Sequence, residues 1–204
     1  MPGLGRVGLI GRFKPLHIGA MKMLETVCDA ADFVVIGIGS SNKYNARNPF
    51  TSAETRNMLE LALAGRSNYL IVEVPDYAQD PEYADGQRWK QDIIDTYGTL
   101  DAFVIGNAYI KQLLEGSYSI IHPATFIPRD EQIRLRATEV RIRMAQNYDW
   151  ESLVPAPVAH YIKEHHLDER FRKEFGLETL ATMLANDYQS TEPAEAEAAH
   201  AREL

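Results

Sequence analysis

Residues 11–21, Gly-Arg-Phe-Lys-Pro-Leu-His-Ile-Gly-Ala-Met, bring together three side chains able to bind or polarise an anion: Arg12, Lys14 and His17. Gly11 and Gly19 flank them and let backbone close on a ligand. A second such group lies far along the chain. In Leu135-Arg-Ala-Thr-Glu-Val-Arg-Ile-Arg-Met144, Thr138 offers a hydroxyl, and Arg141, one turn on, offers a planar guanidinium fork. Arg136 adds a further cation. Between the two groups stand Gly39, Ser40 and Asn48 in one loop, Asp76 and Trp89 in another, and the pair Gly106-Asn107. Arginine, lysine, hydroxyl and close backbone suit phosphate oxygens. The chemistry these residue types indicate is the binding of phosphate.

The first group follows a short apolar run, 7–10. It opens into a helical pattern in which Ile18, Met21, Leu24, Val27, Cys28 and Ala31 recur at three- and four-residue spacing. Strand, tight turn and helix start point backbone N–H groups and the positive end of a helix dipole at one small space, a place for phosphate. Further apolar runs at 33–38, 69–74, 102–105 and 119–121 alternate with helical patterns. Continuous rather than alternating apolar strands between helices indicate a parallel sheet covered on both faces. The expected fold is α/β, a Rossmann-like sheet with helices on both faces plus a C-terminal helix. Each candidate residue group falls just after a strand or at a helix start, where such sheets bind ligands.

Local signals refine the frame. Thr51-Ser-Ala-Glu54 reads as a capping box with Phe50 as its hydrophobic staple. Pro75 stops the third strand. Asp76 is equally a turn former, and Trp89 is equally a half-buried core aromatic. Asn107 reads also as a helix N-cap and Gly116 as a C-terminal cap. Residues 158–175 read as a charged amphipathic helix stopped by Gly176. His160, His165 and His166 are spaced wrongly for one helical face, so no protein metal site is expected.

The chain has 204 residues, is 45% hydrophobic and carries a net charge of −8. That length suits one domain, expected over 1–176, with a polar acidic extension at 177–204 that is partly disordered. The acidic balance argues against non-specific nucleic-acid binding. The single cysteine, Cys28, lies on the apolar face of the first helix and is expected to be core. No apolar run is long enough to span a bilayer, and the chain begins without a signal-peptide pattern. A cytoplasmic protein is expected.

Gly-Arg-Phe-Lys-Pro-Leu-His-Ile-Gly resembles the first motif of the His-x-Gly-His nucleotidyltransferases, and most closely the archaeal type of nicotinamide mononucleotide (NMN) adenylyltransferase. His17 and Gly19 match, while the second histidine position is Ala20. Asn48-Pro-Phe-Thr, Pro75-Asp76, the Tyr83–Trp89 run, Gly106-Asn107 and Thr138-Glu-Val-Arg141 are similar to further motifs of that family, in the same order. The resemblance implies transfer of the ATP adenylyl group to NMN, giving NAD and pyrophosphate, with Mg²⁺ carried on ATP. It implies catalytic roles for His17, Lys14 and Arg141. It implies nucleotide contacts from Arg12, Phe13, Gly19, Gly39, Ser40, Asn48, Asp76, Trp89, Gly106, Asn107, Arg136 and Thr138. Trp89 would stack on the nicotinamide ring. Lys14 or Arg136 would replace the charge missing at Ala20. Alternatives are a nucleotide-binding sensor without turnover, and a cytidylyl or pantetheine-phosphate adenylyl transferase of the same superfamily. The family implies a homo-oligomer.

Overall fold

The computed structural model describes residues 3–191. Five strands, β1 (Arg6–Gly11), β2 (Phe33–Gly39), β3 (Tyr69–Val74), β4 (Ala102–Val104) and β5 (Ile120–Ile121), form one parallel sheet in the order β3-β2-β1-β4-β5. The apolar runs became strands; β2 and β4 are buried on both faces, while the edge strands β3 and β5 are only partly covered. On one face, Val7, Leu9, Val34, Ile36 and Ile38 form a core with Leu24, Val27 and Cys28 of α1 (Ile18–Ala30) and with Met58 and Leu59 of α2 (Ser52–Ala62). The same core takes in Val140 and Met144 of α5 (Ala137–Ala145), Val158 and Ile162 of α6 (Ala156–Glu164), and Phe171 of α7 (Leu167–Thr191). On the other face, Val35, Val74 and Phe103 meet Ile93 and Tyr97 of α3 (Gln87–Tyr97) and Leu114 of α4 (Ala108–Leu114). Gly37 makes this second layer possible. A Cβ there would collide with the Tyr97 hydroxyl, which donates to the Leu9 carbonyl at 2.9 Å.

The strand order reverses between β1 and β4, so the loops after these two strands border the crevice where such sheets bind ligands. The helix starts match their sequence signals. The Thr51–Glu54 capping box is formed by both of its hydrogen bonds. Asn107 caps α4 by accepting from the Ile110 N–H at 3.0 Å. Gly116, at φ +83°, stands just past that helix. Cys28 and Trp150 are core residues.

The C-terminal region departs from expectation. The predicted single helix over 158–175 is two helices, α6 and α7. The break falls at His165–His166, where His166 adopts φ +51°. Leu167 and Phe171 then enter the core, and that burial restarts the helix. Gly176 does not stop it. The residue is buried, and α7 runs through it to Thr191. The expected extension at 177–204 thus starts inside α7, and residues 192–204 lie outside the described residues. Among the described residues, no helix is long and apolar enough to cross a membrane.

Candidate active site

The turn after β1 is held unusually. Phe13 takes a left-handed conformation, φ +52°, with its ring buried against Gly11. A non-glycine residue there costs about 1–2 kcal/mol, and such residues concentrate at functional sites. Lys14 is fully buried. Its Nζ donates to the Ser40 carbonyl at 2.9 Å and to the Lys43 carbonyl at 3.4 Å. Lys14 therefore clamps the turn after β1 to the loop after β2, rather than projecting freely into solvent. Ser40 is itself left-handed, φ +52°. Burial and the neighbouring Arg12 push the Lys14 ammonium down to about 8, against the opposing pull of Glu73.

His17 is the N-cap of α1. Its Nδ1 accepts from the Ala20 N–H at 3.2 Å. An accepting Nδ1 places the ring proton on Nε2, so His17 is a neutral donor. Burial lowers its pKa to about 4, with Glu139 opposing. Gly19 is needed two residues on because a Cβ there would lie 2.8 Å from the Ile133 carbonyl oxygen. Lys22 and Glu131 form an ion pair at 2.8 Å in the same place. These contacts draw the 129–135 segment over the start of α1 and deliver the start of α5 to it.

Arg141, on α5, is buried. One guanidinium nitrogen donates to the Lys14 carbonyl at 3.0 Å and the other to the Thr138 hydroxyl at 3.1 Å. Burial, Arg12 and Arg47 lower its pKa to about 10. The Arg12 guanidinium is lowered too, by burial and by Arg47, with Asp76 opposing. Arg47 was not singled out from sequence. It sits beyond Asn45 in a small turn where the Asn45 Oδ1 accepts from the Arg47 N–H, the Asn48 N–H and the Asn48 side-chain amide. An arginine between two asparagines ahead of Pro-Phe-Thr was the available signal. Arg12 thus feels Arg47, Lys14 feels Arg12, and Arg141 feels both arginines. A cluster of cations only partly offset by Glu73 and Asp76 is suited to receive a polyanion. Among the described residues, the buried Asn48 Oδ1 has no hydrogen-bond partner and is left as an acceptor.

Asp76 ends β3. Its Oδ2 accepts from the Ser40 hydroxyl at 2.9 Å, and its Oδ1 from the Ala78 N–H at 2.9 Å. Asn42 brackets its backbone, accepting from the Asp76 N–H and donating to its carbonyl. Asn42, Lys43, Asp76, Tyr77, Gln79, Asp80 and Pro81 line an open cavity of about 400 Å³ at this corner. Trp89 is partly buried against the second core layer and does not line that cavity. Gly39 ends β2. Gly106 and Asn107 lie after β4, with Gly106 packed near His122 and Pro123. Arg136 is the N-cap residue of α5. Its backbone N–H donates to the Glu139 Oε1 at 3.1 Å, and its side chain is exposed. Arg56 donates to the Ile71 carbonyl at the outer edge of the sheet.

The switch point of the sheet, the cation cluster at the β1 turn and the helix starts beside it form a place for phosphate groups. The model of the cytidylyltransferase-like family matches residues 9–191, and the chain belongs to that family. Within it, the chain is 34% identical over 190 residues to the nicotinamide-nucleotide adenylyltransferase of Pyrococcus furiosus, covering 90% of both proteins. It is 36% identical over 182 residues to the enzyme of the same name from Thermococcus onnurineus, covering 87% of this chain and 89% of that one. It is thus a member of the nicotinamide-nucleotide adenylyltransferases. The fold is shared with a bifunctional NMN adenylyltransferase/ADP ribose pyrophosphatase from Francisella tularensis, solved with AMP and a manganese ion, at a TM-score of 0.69 and 17% identity. The match covers 93% of this chain but 57% of that one.

Proposed function

We propose that the protein transfers the adenylyl group of ATP to NMN, releasing pyrophosphate and forming NAD. The observation that carries this reading is the mutual placement of Arg12, Lys14, Arg47 and Arg141 at the switch point of the sheet, in a chain whose relatives bear that enzyme name. An oxygen of the NMN phosphate attacks the α-phosphorus of ATP. A new P–O bond forms, the bond to the β-phosphate oxygen breaks, and pyrophosphate leaves. The attacking oxygen is already anionic, so no protein nucleophile or base is needed. The chain's contribution is positioning and stabilisation of charge.

In this reading Arg141, Arg47 and Arg12 bind phosphate oxygens. His17 donates from Nε2, and the N-termini of α1 and α5 add their dipoles. Thr138 orients Arg141. Lys14 acts as a positioning residue that locks the two loops carrying these groups. Arg136, on the exposed start of α5, supplies charge near the position held by Ala20. Asp76 accepts from the amide or ribose of NMN at the cavity corner, and Trp89 borders the pyridine ring. Gly106 and Asn107 border the adenosine. The donor set is cationic, which suits triphosphate oxygens rather than a divalent ion. Mg²⁺ therefore belongs to the substrate, as MgATP. A cytoplasmic homo-oligomer that binds small nucleotides, not nucleic acid, completes the proposal.

The test is incubation of purified protein with NMN and MgATP, following NAD and pyrophosphate together. Equal formation of both is expected. Absence of NAD from protein that binds MgATP would overturn the transferase reading.

A further inference from the structure

The loop between β2 and α2 places Arg47 at its tip, yet much of what holds this loop comes from the C-terminal helix. Arg170 of α7 makes a two-bond fork with Glu54, Nη1 to Oε1 at 2.6 Å and Nη2 to Oε2 at 2.8 Å. The same Nη2 donates to the Pro49 carbonyl at 3.1 Å. The guanidinium lies over the Tyr44 ring, 5.7 Å from its centre. One turn further along α7, Glu174 accepts from the Tyr44 hydroxyl, and Phe175 meets the Tyr44 ring edge-on with centres 5.2 Å apart. One face of α7 therefore grips the chain before the Asn45–Asn48 turn, at Tyr44, and after it, at Pro49 and Glu54. Arg47 lies between the two grips.

We infer that Arg170 is a positioning residue for the triphosphate of ATP, fixing from the C-terminal helix the loop that presents Arg47. The inference rests on the ATP-site reading above. Its physical content is rigidity. A bidentate guanidinium–carboxylate pair that also bonds a carbonyl sets direction as well as distance, which a lysine in the same place would not do. Burial pushes the Glu54 carboxyl up, but Arg170 and the Thr51 cap outweigh it, so the group stays well ionised and the fork intact. A purely structural strut between α7 and α2 would stabilise the fold without regard to Arg47.

A double-mutant cycle on MgATP binding by calorimetry separates the two. Wild type, Arg170→Met, Arg47→Ala and the double variant are compared, with NMN binding as control. Arg170→Met is expected to weaken MgATP about tenfold. In the Arg47→Ala background the same change is expected to shift the dissociation constant less than about twofold, with NMN affinity unaltered throughout. Equal weakening in both backgrounds, or unchanged MgATP affinity in folded Arg170→Met, overturns the inference. If circular dichroism shows Arg170→Met unfolded, Glu54→Gln takes its place in the cycle, and the same pair of outcomes decides. Wild-type protein that does not bind MgATP would instead overturn the ATP-site reading itself.

Discussion

Replacing Arg141 with methionine separates a binding residue from a structural one. Burial and the neighbouring cations hold the guanidinium down to about 10, well below its ordinary value, which corresponds to roughly 3 kcal/mol spent keeping the charge in its buried, cation-rich site. The folded value lies below the unfolded one, so this cost is complete at pH 7 and fades only as pH rises above about 10. Methionine removes it. The same substitution loses the bonds to the Lys14 carbonyl and the Thr138 hydroxyl. That loss costs about 1–3 kcal/mol, mostly for the buried carbonyl left unpaired. The two effects nearly cancel, so urea unfolding of Arg141→Met should give a stability within about 1–2 kcal/mol of wild type. MgATP affinity should fall by about 1.5–3 kcal/mol, roughly 10- to 150-fold, as a charge-assisted bond to phosphate disappears. Calorimetry with MgATP and urea titrations on the same preparations give both numbers. A variant that loses more than about 3 kcal/mol of stability while binding MgATP normally would show Arg141 to be a strut, and the reasoning would be wrong.

Trp89→Ala should weaken NMN by about 1–2 kcal/mol and leave MgATP affinity unchanged, with some loss of stability because the ring also packs on the second core layer; equal loss for both ligands would remove Trp89 from the pyridine site. His17 titrates at about 4 when folded and near 6.5 when unfolded, so its contribution to stability is complete above 6.5 and is lost as pH falls to 4, up to roughly 3 kcal/mol. His17→Asn, which keeps a capping side chain without titrating, should flatten that part of the stability–pH curve, and an unchanged curve would contradict the buried neutral cap. Ala20→His should raise pyrophosphate release by about two to three decades if the first turn of α1 faces the phosphates; an unaltered rate would mean the surrounding cations already supply that charge.

The sheet was readable because its strands are continuous apolar runs, and the helix starts because Thr51, Glu54 and Asn107 carry their own capping chemistry. Arg12, Lys14 and His17 stand out in the sequence as one strand–turn–helix group, whereas Arg141 stands out through the resemblance of residues 135–144 to a second family motif. What the structure added depends on distant partners. The Lys14 amine looks like a free cation in sequence and is a buried clamp, because its acceptors are carbonyls 26 and 29 residues away. Arg47 lay in a polar loop with no periodicity to aim it. Arg170 pairs with Glu54 across 116 residues. The split between α6 and α7 falls where Leu167 and Phe171 turn into the core, and α7 then runs on through the buried Gly176, which local rules read as a stop.

The most direct measurement of the central claim follows the phosphorus atoms. With ATP labelled at the α-phosphate, NMN and Mg²⁺, the account predicts that label appears in NAD, one equivalent for each pyrophosphate released. Label that remains in ATP or appears as AMP, with NMN unconsumed, would contradict adenylyl transfer to the NMN phosphate.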